Sequence, residues 1–555
     1  MYVRASRSGD RTYLRLVESY RADDGKIRQR QIAQLGRADE LAGDRIERLI
    51  ASLRRHTGAG GTDAGSVEFE PAREVGAPWL LTELWQELGI DRVLTRALRS
   101  SRRQFNAEAA VRAMVFNRLC DPESKLGVLR WLDNVVLPGV DTDALNHQRL
   151  LRSMDALIEE RGDVERALGM LLRPLIDQEL SVVFYDLTSI RIHGEGEVEG
   201  DVRHFGRSKD VHGIARQCVL GLIQTADGLP LDFELFDGNV AEVTTLLPML
   251  ERIFQRYTIH RVVIVADRGL LSLDNIEQIE AMTLPGGQRP EYILAVPAGR
   301  YSDFADVIDR LSFASEVPSI RESTVDGRRM VVAHDPQAQQ EKQRRRREKI
   351  QDLVAFGDQL TERLDRHDAG ESSRGRPPSD QGAYVRFQRA VMERQYSRYF
   401  HMAIEDGCFT FEVNEDAVSK AERLDGKLVL LTNVTDLGAE DVVARYKALA
   451  DIERGFRVLK RDLEIAPVYH RLPARIRAHA MICFLSLLLH RVLRMRLKAG
   501  NLGMSVERAL EKLQTIQYHQ VRLDDETLTG LSRMTPEQKS LFDGLEVSRP
   551  EEKRL

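Results

Sequence analysis

Three acidic residues are placed where chemistry on a phosphodiester would need them. Asp186 closes the strand-like run Ser181-Val-Val-Phe-Tyr-Asp186, and Asp267 closes a second, Arg261-Val-Val-Ile-Val-Ala-Asp267. Glu453 lies far downstream, within a helical segment from Asp441 to Lys460. Two carboxylates at strand ends and one on a helix can converge on a pair of divalent cations, which clamp the attacking and leaving oxygens of an in-line displacement. An Asp at a strand end is more often a turn former or a cap, so each carries little alone. The helical segment adds to them. Tyr446, Glu453 and Lys460 are spaced by seven, so on a continuous helix they share one face, and Arg457, four after Glu453, lies on that side. A carboxylate flanked by a phenol and cations suits a metal ligand beside phosphates; the plainer reading is a solvated charged face. Arg268, next to Asp267, and Lys209, in Ser208-Lys-Asp210, are further cations able to meet a phosphate. Arg268 can equally cap the next helix. His193, His204 and His212 match no metal-ligand spacing and read as loop histidines. No GxSxG, HExxH or Walker A pattern occurs, which argues against those hydrolases and NTPases.

These residues need elements to hold them. At 555 residues the chain exceeds one core, and roughly three or four domains are expected. Apolar content of 42%, charged content of 30% and a net charge of -5 describe a globular protein with no global nucleic-acid signature, so DNA contact must come from local basic patches. The cysteines, Cys120, Cys218, Cys408 and Cys483, form no CxxC pair. A zinc knuckle or disulfide framework is not expected, and reduced thiols in the cytoplasm fit. The N-terminus has no apolar core of a signal peptide. The longest apolar run, Ala480 to Leu489, is too short to span a bilayer and reads as a core helix, so no membrane partner is expected.

The patterning divides the chain into six regions. Residues 1–75 read as a small β-rich unit and a Gly-rich linker: Thr12 to Tyr20 alternates at period two, and Asp23-Asp-Gly-Lys26 supplies a turn. Residues 76–178 read as helical and DNA-binding. Asp121-Pro122 is a helix start there, and the turn before Ser124–Leu132 suggests a helix-turn-helix, with an ordinary helical bundle as the alternative. Arg102, Arg103, Arg112, Arg118 and Lys125 are its cations. Residues 179–298 alternate strands and helices, with an Asp227-Gly228 hairpin turn and the uninterrupted apolar run before Asp267, as expected of a mixed sheet with a strand buried on both faces. Residues 299–428 interrupt that sheet and include the basic run Arg344–Arg347. Residues 429–500 carry the Glu453 helix and a long helix from Ala474 to Lys498. From Arg471 to Lys498 there are seven Lys or Arg and no Asp or Glu, which favours phosphate contact. Residues 501–555 read as a polar helical tail.

Taken together, the motifs resemble the DDE transposases of bacterial insertion sequences, in the branch with a long insertion before the Glu. That branch has a Tyr-Arg-Glu-Lys helix motif with two, three and six residues between its members. Tyr446, Glu453 and Lys460 match it. Leu449 stands at the Arg position, a departure at one phosphate contact for which Arg445 or Arg457 are the nearby cations. Tyr185-Asp-Leu-Thr188, His204-Phe-Gly-Arg-Ser-Lys-Asp210, Phe236-Asp-Gly-Asn239, Ala266-Asp-Arg-Gly269, Leu431-Thr-Asn433 and Pro467-Val-Tyr-His470 match in order, and Val17–Tyr20 and Gly25–Ala33 extend the likeness to the N-terminus. The resemblance implies a ribonuclease-H-like α/β fold: a mixed sheet with flanking helices, interrupted by a large insertion and preceded by the β-rich unit and the helical domain. It implies that Asp186, Asp267 and Glu453 hold two Mg²⁺ or Mn²⁺ ions, that double-stranded DNA (element ends and target) is the partner, and that a homodimer pairs two ends. Members of the branch can flip a base onto a Trp of the insertion; here Trp79, Trp85 and Trp131 all lie upstream. A related metal-dependent nuclease without strand transfer, and a non-catalytic DNA-binding regulator derived from a transposase, are the alternatives; Leu449 is the feature in favour of the latter.

Overall fold

The computed structural model describes residues 2–8, 11–21, 27–37, 67–99, 105–173, 181–193, 200–208, 213–241, 244–257, 261–266, 273–284, 287–314, 316–370, 377–448, 455–523 and 526–554. The chain divides into two compact units. The first comprises Met1–His260, Leu284–Gly286 and Ala450–Leu555; the second comprises Arg261–Thr283 and Gly287–Leu449.

The first unit opens with an antiparallel sheet of β1 (Tyr2–Ser8), β2 (Arg11–Arg21) and β3 (Ile27–Arg37), the β-rich start the alternation predicts. Two short strands, β4 (Val67–Phe69) and β5 (Arg73–Glu74), lead into helices α1 (Gly76–Glu87), α2 (Ile90–Ala97), α3 (Ala107–Cys120), α4 (Lys125–Leu132), α5 (His147–Glu159) and α6 (Arg161–Leu172). Asn106, Ser124 and Asn146 cap α3, α4 and α5, each accepting from a backbone N–H three residues on. The expected helix start at Asp121-Pro122 is therefore corrected: Asp121 ends α3, and the Ser124 hydroxyl, not the Asp121 carboxylate, satisfies the first turn of α4. α3 is buried along nearly its whole length. Its Arg112 pairs with the buried Glu108, and Arg118 is spent on backbone carbonyls, so neither is a surface cation; Arg102 and Arg103 lie outside the described residues. These facts favour the helical bundle over the helix-turn-helix.

Next come β6 (Ser181–Arg191), β7 (His204–Ser208), β8 (Gly213–Thr225) and β9 (Pro230–Asp237). β8 pairs antiparallel with β6 along one edge and with β7 and β9 along the other. Helix α7 (Leu246–Arg256) packs on β9. Between α6, β9 and α7 lies an ion-pair lattice: Arg161, Arg252 and Arg256 share Glu165, Asp232 and Glu234. Such a lattice is tolerable at low exposure because every charge has an opposite neighbour.

The second unit is a mixed sheet with helices. Along the chain run β10 (Val262–Ala266), α8 (Leu273–Ala281), β11 (Glu291–Ala295), the short α9 (Ala305–Asp309), β12 (Ser319–Val325), β13 (Arg328–His334), α10 (Pro336–Asp368), α11 (Asp380–Glu393), β14 (Phe400–Glu405), β15 (Cys408–Val413), α12 (Glu415–Leu424), β16 (Lys427–Thr432) and α13 (Ala439–Lys447). The strands lie in the order β12-β13-β16-β11-β10, parallel only at β10–β11. The block expected as an insertion begins later than its sequence suggests, because the apolar centre of β13, Met330-Val-Val, is buried against β16 and extends the sheet. The stretch from α10 to α12 has its own core around Phe387, Leu353, Phe400 and Phe409. The basic run Arg344–Arg347 faces acids of its own unit: Arg344 pairs with Glu341 and Glu348, Arg345 with Glu341, Arg346 with Asp425 and Arg347 with Glu422.

The chain returns to the first unit with a π-helical turn, Val458–Asp462, then α14 (Pro473–Ala499), α15 (Val506–Gln514), β17 (Gln517–Leu523), β18 (Glu526–Leu531) and α16 (Pro536–Gly544). α14 is long and apolar enough by length and composition to cross a membrane, yet 94% of its most apolar stretch is buried, where it packs against α3, α5 and β9. The tail expected to be helical also holds a hairpin. Alternation in Tyr518-His-Gln-Val-Arg-Leu523 makes β17, which pairs with β18, β4 and β5.

Candidate active site

β6 is buried from Val183 to Ile190 except at Asp186, which is half-buried. The strand does not end at Asp186, as its sequence suggests; it runs on to Arg191 because Leu187 to Arg191 continue the pairing with β8. A carboxylate in the middle of so buried a strand is costly unless it is paired or meets a cation. Its Oδ1 accepts from the Leu187 N–H at 2.7 Å. β10 has all five residues buried and ends at Ala266, so Asp267 follows its C-terminal end directly. Ligands of α/β sheets bind at such carboxyl ends. Asp267, Arg268, Lys209, Glu453 and Leu449 themselves lie outside the described residues.

The remaining predicted residues are described. Tyr446 sits half-buried in the last turn of α13, in the second unit. Arg457 is exposed and Lys460 half-buried in the first unit. The heptad argument required one straight α-helix from Tyr446 to Lys460. The described residues differ from that: α13 ends at Lys447, and Lys460 lies in the π turn, where the Leu463 N–H donates to the Val458 carbonyl five residues back at 2.9 Å. A π turn departs from α-helical pitch, so α-helical spacing does not hold through Val458–Asp462.

One residue that the motifs missed is Arg491. Its guanidinium is buried in α14, only 1% of the residue being exposed. Gly455, two residues after Glu453, lies flat against it: a Cβ on Gly455 would come within 2.9 Å of the Gln224 amide nitrogen and 3.0 Å of an Arg491 guanidinium nitrogen. The backbone at Gly455 is therefore seated on Gln224 and Arg491. The sequence signal was there, a lone Arg in the apolar run Leu487-Leu-Leu-His-Arg-Val-Leu493. The end of the π turn is anchored too. Asp462, His490 and Glu507 bring their ligand atoms within 4.8 Å of one another. The His490 Nε2–Glu507 contact at 3.0 Å holds the Glu507 carboxyl down at about 2. The His490–Glu507 contact ties α14 to α15 beside the end of the π turn.

Two family models match this chain: "Transposase DDE domain" over residues 177–489 and "IS1634 family transposase, N-terminal domain" over residues 3–65. No curated protein matches it. Among solved structures, the piggyBac transposase synaptic complex with hairpin DNA is similar at 8% identity and a TM-score of 0.38, over 80% of each chain.

Proposed function

The chain belongs to the DDE transposases of bacterial insertion sequences, and from that premise we propose that it binds the terminal repeats of its own element and catalyses metal-dependent strand cleavage and strand transfer. The reading is carried by the match over residues 177–489, which contains Asp186, Asp267 and Glu453 in the order the chemistry needs.

The donor set fits divalent cations. All three side chains are hard oxygen donors, and Asp186 is the one carboxylate in its strand, half-buried between buried neighbours. Bound there, two Mg²⁺ or Mn²⁺ ions would supply the charge that stabilises the attacking and leaving oxygens. The chain's own residues do the rest. β6 and β10 fix the backbone at Asp186 and just before Asp267, and Gln224 and Arg491 seat the backbone at Gly455, two residues after Glu453. Tyr446, Lys460, Arg457, Arg268 and Lys209 hold the phosphates of the strand, the exposed Arg457 taking over the charge that Leu449 lacks. A homodimer would pair two ends, in the cytoplasm and on the nucleoid.

The test is incubation of the full-length protein and Mg²⁺ with a duplex carrying the terminal repeat, comparing wild type with Asp186→Asn and Asp267→Ala. Nicking at the repeat end that is lost in both variants and abolished by EDTA, with DNA binding retained, is the expected result. Binding without cleavage in wild type would make the chain a regulator. Cleavage that survives either substitution would remove that residue from the site.

A further inference from the structure

The first unit holds a cavity of about 680 Å³ that the catalytic reading leaves unused. Its wall is built where three helices begin. The first turns of α4, α5 and α14 contribute Lys125, His147 and Arg475, and none of the three carries an acidic residue in its first turn. A helix start bears partial positive charge, which favours an anion; at α4 the Glu123 carboxylate accepts from the Ser124 N–H at 3.3 Å, while α5 and α14 carry no acid of their own in the first turn.

Lys125 is the decisive residue. Only 6% of it is exposed, it lines the cavity, and its Nζ meets no hydrogen-bond partner among the described residues. Burial, and then the neighbouring Arg118, push its pKa down to about 7. Arg118 does not relieve it. That guanidinium is 5% exposed and donates to the carbonyls of Leu463, Glu464 and Glu123, and it pairs with no carboxylate among the described residues. Of the lining acids, Glu123 is turned toward Arg130 at 3.7 Å and Glu464 is exposed. Arg475 is held by Asp155 through two bonds of 2.8 and 2.9 Å. Burial keeps His470 uncharged, its pKa pushed down to about 4, and His479 lower than its ordinary value too. A buried Lys amine with no counter-ion among the described residues, beside three helix starts, suits an anion that accepts several hydrogen bonds at once, which a phosphate does.

The rim indicates where that phosphate comes from. Arg471 is exposed, and Tyr469, 70% exposed, stacks on His193 with ring centroids 5.2 Å apart and planes 16° apart. A flat aromatic face and an exposed cation beside an anion pocket are the parts that hold a nucleic-acid strand. We propose that this cavity binds a backbone phosphate of a DNA strand, with the Lys125 ammonium as its buried donor and Tyr469 and Arg471 as its rim. The proposal rests on the transposase reading for the identity of the strand and adds to it a contact apart from the carboxylates.

Two measurements on the full-length protein test it: the melting temperature with inorganic phosphate against chloride at equal ionic strength, and the salt dependence of binding to a terminal-repeat duplex. In wild type, millimolar phosphate should raise the melting temperature, and Lys125→Gln should abolish that rise. DNA affinity should fall about tenfold or more in Lys125→Gln, as for a lost bond to a charged group, and the slope of log K against log salt should become shallower by about 0.9. An unchanged slope overturns the proposal, and with the phosphate response still lost it makes free phosphate the ligand. If Lys125→Gln fails to fold, Arg471→Ala on the exposed rim decides by the same slope. A wild type that binds no DNA would sink the transposase reading itself, a result distinct from wild-type binding with an unaltered variant.

Discussion

Gly455→Ala puts the seat of the Gly455 segment under direct test. Two effects of the added methyl oppose each other. In a helix, Ala is favoured over Gly by about 1 kcal/mol. Against that, the new Cβ would lie 2.9 Å from the Gln224 amide nitrogen, 3.1 Å from its oxygen and 3.0 Å from Arg491. These are ends of side chains, which normally give way, but Gln224 is wholly buried and Arg491 nearly so, so neither can swing into water. Overpacking of this kind costs about 1–3 kcal/mol, which leaves a net loss of roughly 0–2 kcal/mol once the propensity gain is subtracted. For a domain of this size that is a fall of a few degrees in melting temperature, at about 2–4 °C per kcal/mol. The chemistry suffers more. The easiest relief is to lift the segment by several tenths of an ångström, and a displacement of about 1 Å at a reacting group costs about 100-fold in rate. The expected result is a loss of about 10- to 100-fold, by the same reasoning, in single-turnover cleavage of a pre-bound terminal-repeat duplex, with DNA affinity unchanged. Gln224→Ala in the same chain should restore most of the rate, because the Gln224 amide makes no hydrogen bond among the described residues and leaves room when removed. Wild-type cleavage by Gly455→Ala, or no rescue by the double variant, would refute the idea that Gln224 and Arg491 position this segment.

Burial, and secondarily Asp121, push the Glu74 carboxyl up to about 7. Its folded pKa exceeds its unfolded one, so the stability it contributes is complete below the ordinary carboxylate range and is lost as pH rises through about 7; at about 1.4 kcal/mol per unit, and with about half discounted for partial exposure, Glu74→Gln should gain about 1–2 kcal/mol near pH 8 and little near pH 4. Parallel urea-stability curves for the two proteins across that range would contradict it. Arg346 and Asp425 form a buried pair at 2.7 Å, with Lys342 at 3.3 Å as the only other cation paired with that carboxylate among the described residues; Arg346→Met should cost about 3 kcal/mol, seen as faster amide exchange in α10 and α12, and unchanged protection would show the pair to be idle. Arg344 and Arg345 are spent on Glu341 and Glu348, so the double variant Arg344→Gln, Arg345→Gln should bind terminal-repeat DNA within about twofold of wild type; a shallower salt slope would place this run on the DNA after all.

How much of this was legible in the sequence differs from element to element. The run before Asp267 was unmistakable, because a strand buried on both faces leaves an unbroken apolar word, and β10 has that form. The extent of β6 was not, since the apolar run breaks at Asp186 and only the pairing with β8 carries the strand on to Arg191. The spacing of Tyr446, Glu453 and Lys460 suggested a face that a straight helix would share, but periodicity cannot announce the π turn at Val458–Asp462. Charge runs were the least readable. Arg344–Arg347 reads as a solvated helix face, with a DNA stripe as the lesser alternative, until its partners Asp425 and Glu422, remote in sequence, come alongside. Lys125 looks like one more surface cation until its burial is known. In each case the missing information is a neighbour distant along the chain, which local patterning cannot supply.

The excursion from α10 to α12 leaves the sheet and returns to it at one point. His334, the last residue of β13, is the register partner of Lys427, the first of β16, and the Asp335 N–H donates to the Gly426 carbonyl at 2.9 Å across that junction. Topologically, everything between them is a single hairpin turn grown to the size of a domain. Closing a longer loop adds little entropy, because the cost rises only with the logarithm of its length. The Arg346–Asp425 pair bolts the neck shut from inside, while the aromatic cluster around Phe387 gives the enlarged turn a core of its own. Such a junction is a socket. A segment of different length joined at His334 and Lys427 would leave the strand pairing on either side as it is, because the register is set by β13 and β16 and not by what lies between them.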